Sequence, residues 1–96
     1  MKRPNVLILV SHDTGRHIGP YGIDTVHTPN FDRLADMSVT FDNAFSCAPQ
    51  CSPARAALFS GTSPHSAGVM GNVGREHGWR FPENRRHAGR IFPESQ

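Results

Sequence analysis

Asn5-Val6-Leu7-Ile8-Leu9-Val10-Ser11-His12-Asp13-Thr14-Gly15 is the stretch on which the fold turns. From Val6 to Val10 every residue is apolar, with no alternation. A strand with one wet face alternates. An unbroken apolar run marks a strand covered on both faces, the habit of parallel sheets. The run therefore predicts an α/β architecture, a mainly parallel sheet flanked by helices. Polar residues take over at Ser11. That places His12 and Asp13 past the carboxyl end of the strand, where open α/β sheets bind ligands. Asp13 reads there either as a functional group or as the cap of the next turn, and the residues leave both open.

Outward from this run, composition sets bounds. The chain has 96 residues, enough for one domain at most. Apolar residues make up 36%, beside nine glycines and eight prolines, which is lean for a self-sufficient core and rich in loop formers. The net charge of +2 is too small to imply nucleic acid. Arg75, Arg80, Arg85, Arg86 and Arg90 make the end basic against Glu76, Glu83 and Glu94. Only Trp79 and Phe81 supply the aromatic interleaving that nucleic-acid binding asks for, so no such partner is expected. Cys47 and Cys51 make neither a disulfide framework nor a zinc site. The Val6–Val10 run is too short for a signal-peptide core or a membrane span, so a cytoplasmic location and no membrane partner are expected. Pattern is lost after about Asn72, which divides the chain into a partial domain, 1–72, and an irregular basic tail, 73–96.

Arg16 to Thr28 is punctuated by Gly19, Pro20 and Gly22 and reads as loop. Thr28-Pro29 opens a helix, Thr28 as N-cap and Pro29 in the first helical position. Phe31, Leu34, Ala35 and Ser38 share one face, while Asp32, Arg33 and Asp36 read as a solvated face. Ser38 to Phe41 reads as a short strand or extended segment. Phe41 and Phe45 are expected in the core, and Cys47 as a packed small residue.

Ala48-Pro49-Gln50-Cys51-Ser52-Pro53-Ala54-Arg55-Ala56-Ala57-Leu58-Phe59-Ser60-Gly61 reads as a helix start carrying a cysteine. Ser52 is the expected N-cap, Pro53 the first helical residue and Gly61 the closing residue. Cys51 then lies at a helix N-terminus, where free N–H groups favour negative charge, with Arg55 one turn on and able to point back. A capped helix with a buried cysteine is the plain alternative, and an unmodified thiolate enzyme or redox protein another. Thr62 to Gly68 is turn-rich. Pro82 to Ala88 reads as the start of a weak helix that Gly89 interrupts.

Cys51, Pro53 and Arg55, followed by apolar residues and Ser60-Gly61, resemble the signature of the sulfatase family in the alkaline-phosphatase superfamily. Gln50 and Ser60 depart mildly from it. Further blocks fall in the family's order: Pro4-Asn5-Val6-Leu7 leading to Asp13, Thr28-Pro29-Asn30-Phe31-Asp32-Arg33-Leu34-Ala35, Phe41-Asp42-Asn43-Ala44-Phe45, then Pro64-His65 and Gly68. The likeness is nearest to bacterial enzymes of heparan N-sulfatase-like and arylsulfatase type. Phosphonate and phosphate monoester hydrolases share these motifs.

The resemblance implies that a formylglycine-generating enzyme oxidises Cys51 to an aldehyde, which hydrates. One hydroxyl attacks sulfur in a sulfate ester, and the other expels sulfate. It also implies Arg55 as the residue holding the diol. Asp13 and the converted Cys51 would be ligands of a divalent cation, usually Ca²⁺. Where the family has a second aspartate this chain has His12, and imidazole suits softer metals than calcium. His12 therefore reads as a packing residue or a hydrogen-bond partner, with a divergent metal site the alternative, and His65 as a substrate-side or a structural residue. Family members run to several hundred residues, and their remaining ligands have no counterpart here. The resemblance thus implies an N-terminal segment of a sulfuric ester hydrolase, acting on a small-molecule or glycan sulfate and inactive by itself. A non-catalytic remnant and a split-chain partner are the alternatives.

Overall fold

A strand exists only with a neighbour to bond, and that rule decides what the apolar run becomes. The computed structural model describes residues 4–74 and 78–94. Within it Asn5–Val10 is neither helix nor strand, and Leu7 and Leu9 are each 81% exposed. The expected sheet is therefore not formed among the described residues. A run that is apolar on both faces is held only by chain on both sides, and its backbone groups need a ladder. Two compact units divide the chain, Met1–Ala44 and Phe45–Gln96.

In the first unit the loop tightens into a 3₁₀ turn, Gly19–Tyr21, closed by Gly22 in the left-handed region at φ 78°. Helix α1, Pro29–Asp36, starts where Thr28-Pro29 predicts. The Thr28 hydroxyl does not cap it. It accepts a hydrogen bond from the Gly19 N–H at 2.8 Å and so ties the turn to the helix start. Asp32 is drawn into the same knot. Its carboxylate lies so close to Gly19 that a Cβ there would collide with it, while Asp32, like Arg33 and Asp36, stays exposed as the solvated face predicts. Phe31, Leu34 and Ala35 do share a face, which lines a hollow with Tyr21 and Phe41. The Tyr21 hydroxyl donates to the Phe41 carbonyl at 3.3 Å, and the Arg16 guanidinium lies 4.9 Å from the centre of the Tyr21 ring. Even so, no described residue of this unit is buried. Phe41, expected in the core, is exposed, because the segment before it has no strand to pair with.

The second unit builds a core from small residues. Helix α2, Cys51–Ser60, turns Pro53, Ala56 and Ala57 inward, the i, i+3, i+4 spacing of one helical face. It begins earlier than the sequence suggests. Gln50 is the N-cap, Cys51 is already helical, and Ala54 N–H makes the first bond, to the Gln50 carbonyl at 3.1 Å. Anywhere in the first turn an N–H has no helical acceptor, so proline is tolerated throughout it and does not fix the starting residue. Gly61 closes the helix at φ 67°, as expected.

Helix α3, Pro64–Ala67, was hidden in the turn-rich segment. Ser63 caps it, accepting from Ser66 N–H at 3.3 Å. Its end is a Schellman turn: Gly68 N–H bonds His65 O at 3.2 Å and Val69 N–H bonds Pro64 O at 3.1 Å. That turn drives Val69 into a fully buried position against Ala56 and Ala67, where Phe81 packs on them. Residues 79–82 fold back onto this group. Trp79 pairs with Val73 in an isolated parallel bridge, and Pro82 sits against Gly68. Phe81 meets the His87 ring edge to face, centroids 5.6 Å apart. Helix α4, Ala88–Glu94, follows. Pro82 starts only a turn, Arg85 N–H to Pro82 O at 3.0 Å, and Gly89 lies inside the helix rather than stopping it. In a first turn glycine forfeits little, because helical bonding has barely begun.

Phe45 and Cys47, read as core and packed, are both exposed, because no element among the described residues covers the segment leading to α2. Arg75 and Glu76 of the basic end lie outside the described residues. Among the described residues no helix is long and apolar enough to cross a membrane.

Candidate functional site

Cys51 is the first residue of α2, and its side chain is exposed rather than buried. Its sulfur lies 3.6 Å from the Asn72 side-chain oxygen and 4.0 Å from the Ser52 hydroxyl. Ser52 is not the cap. Its hydroxyl accepts from the Val73 N–H at 3.1 Å, across 21 residues of chain. The 71–73 loop is thus laid beside the N-terminal end of the helix. Arg55 follows Cys51 by four residues, one turn along the same helical face. It is exposed and edges a cleft of about 330 Å³ whose walls include Phe59, Val69, Phe81 and His87.

The other candidates belong to different elements. Asp13 follows the apolar run with φ 51°, and among the described residues it alone is non-glycine with positive φ. Aspartate tolerates that region better than most residues, although not without cost. The His12 Nε2 lies 3.6 Å from an Asp13 carboxylate oxygen, and both side chains are well exposed. Such a pair is ionic only with the imidazole protonated, and at this exposure it adds little stability. His65 is exposed on α3.

Calcium takes about six to eight oxygen ligands. No three His, Cys, Asp or Glu side chains among the described residues come together to hold a metal ion. Asp13 brings one carboxylate and His12 a nitrogen, so these residues by themselves do not fit calcium.

The candidates Cys51, Arg55 and Asp13 are all legible in the sequence. Asn72 and the tether from Ser52 are not, because a contact across 21 residues leaves no periodicity to read. The only hint was glycine on both sides of the pair, Gly71-Asn72-Val73-Gly74, a spacing that lets backbone approach closely.

An exposed cysteine opening a helix, an arginine one turn on, and an aspartate after an apolar run are what the chain offers chemically. The sulfatase family profile matches residues 4–88, and the chain belongs to that family. It is 39% identical over 95 residues to a Δ4,5-hexuronate-2-O-sulfatase of Bacteroides thetaiotaomicron, covering 98% of this chain and 20% of that protein. A sulfatase of Formosa agariphila is 43% identical over 70 residues, 72% of this chain and 14% of that one. Human N-sulphoglucosamine sulphohydrolase is 40% identical over 67 residues, 70% of this chain and 13% of its own length. The chain therefore spans about a fifth or less of the curated relatives it matches. No solved structure matches it. Membership carries the α/β fold of the alkaline-phosphatase type; the described residues hold helices and no strand.

Proposed function

We propose that this chain carries the nucleophile segment of a sulfuric ester hydrolase, with Cys51 the precursor of formylglycine. The observation that carries this is Cys51 exposed at the first turn of α2 with Arg55 one turn on, in a chain of the sulfatase family. An exposed thiol in a first turn is open to the enzyme that must oxidise it. A buried one would not be. Once converted, the aldehyde hydrates to a geminal diol. One hydroxyl attacks the ester sulfur and the alcohol leaves. The second then gives up its proton, the C–O bond to sulfate breaks, and the aldehyde returns, which is nucleophilic catalysis with its own release step. Arg55 offsets the negative charge gathering on the sulfuryl oxygens. Family likeness assigns Asp13 to a divalent cation, and its left-handed backbone is the local feature that sets it apart; its carboxylate and the His12 nitrogen do not by themselves make a calcium site. Relatives named for hexuronate and N-acetylgalactosamine sulfates support a sulfated sugar as substrate class.

Maturation gives the direct test. Trypsin releases residues 34–55 as one peptide, since no lysine or arginine lies between Arg33 and Arg55. That peptide holds both cysteines, so Cys47 is an internal control. After co-expression with a formylglycine-generating enzyme, mass spectrometry should find an aldehyde at position 51 and an alkylatable thiol at 47. Two alkylatable thiols would overturn the assignment.

A further inference from the structure

We propose that Asn72 is a positioning residue for the Cys51 side chain, brought there by the Ser52–Val73 hydrogen bond. The inference deepens the reading of Cys51 as the nucleophile precursor and rests on it. Three holds converge on residues 71–73. The Asn72 side-chain oxygen lies 3.6 Å from the Cys51 sulfur, within reach of a thiol donor. The neighbouring Val73 N–H donates to the Ser52 hydroxyl at 3.1 Å. On its other side the loop is backed by Trp79, which bridges Val73 and sits so near Gly71 that a Cβ there would lie 2.9 Å from the indole nitrogen. A sulfur contact alone is weak. Here backbone pairing sets the register independently of it, and the register delivers an amide to the one side chain that must be modified. An amide suits the task, because its oxygen accepts from a thiol or hydroxyl and its NH₂ can turn to an oxygen that replaces the sulfur.

The test is the iodoacetamide alkylation rate of Cys51, read against Cys47 in the same 34–55 peptide of the full chain. With Asn72 as acceptor of the thiol proton, Asn72→Leu speeds alkylation of Cys51 about three- to ten-fold, the worth of one hydrogen bond. Asn72→Asp keeps the shape and adds a negative charge, so it slows Cys51 and the slowing fades in high salt. Shielding by bulk alone predicts no change for Asp. Ser52→Ala, which frees Val73 and with it the register that holds Asn72 beside Cys51, and which also removes the 4.0 Å contact of Ser52 with the sulfur, speeds Cys51 at least as much as Asn72→Leu does. Cys47 keeps its rate throughout. A Cys51-to-Cys47 ratio unmoved by Leu and Asp would overturn the inference, and so would both cysteines moving together, which reads as loosening. If Asn72→Leu melts α2, the near-isosteric Asp variant still decides. The readout needs no aldehyde. Failure of maturation therefore strikes the proposed function alone, and an unmoved ratio in a chain that does mature strikes Asn72 alone.

Discussion

Residues 4–44 and residues 45–94 have similar lengths and opposite habits. The first holds the more hydrophobic stretch, Val6–Val10, yet buries nothing. The second is built on alanine, proline and glycine, yet buries Pro53, Ala56, Ala57, Pro64, Ala67 and Val69. Hydrophobicity supplies driving force only where geometry closes on it. Around α2 the closure is local: a left-handed glycine ends α2, a short link reaches α3, and a Schellman turn aims Val69 back at the helix it came from. Small side chains let those backbones meet. The apolar run needs strands on both sides, which no local turn can provide.

The sharpest way to break the contrast is Val69→Asp. An unpaired charge in a fully buried position costs roughly 4 kcal/mol, so protection from hydrogen exchange over residues 51–69 should vanish while exchange over 5–10 stays fast. Gly68→Ala comes next. It puts a Cβ at φ 79° and 3.3 Å from Pro82, with a cost of about 2 kcal/mol in urea denaturation followed by circular dichroism. Gly22→Ala carries the same backbone strain without the steric contact, so a smaller loss of about 1 kcal/mol is expected in the same measurement. Ser63→Ala removes the α3 cap, for about 1 kcal/mol in the same measurement. Smallest is Leu9→Lys, at an exposed site, where a change within about 0.5 kcal/mol is expected. A large loss there would mean that the run is already buried.

What the sequence disclosed follows the same divide. Signals that act within one turn were legible: Thr28-Pro29 at the start of α1, Gly61 at the end of α2, and a helix through Cys51 and Arg55. Signals that need a distant partner were read without it: the α/β fold comes with family membership, but its sheet is not formed among the described residues. The strand, and the core places given to Phe41 and Phe45, presupposed a sheet that the described residues do not form. The first residue of α2 was placed too late because Pro53 is equally at ease anywhere in a first turn. Of the site, Cys51, Arg55 and Asp13 carried local patterns. Asn72 did not, since its link to Cys51 spans 21 residues.

The bridge between Val73 and Trp79 has an optical consequence. Trp79 is the only tryptophan of the chain, about two-fifths exposed, with its indole against Gly71. Its emission depends on how the loop beside Cys51 lies. The protein therefore has a built-in fluorophore against the loop that lies beside Cys51. Oxidation, alkylation or occupation at Cys51 can be followed as a change in Trp79 intensity or wavelength, with no label attached.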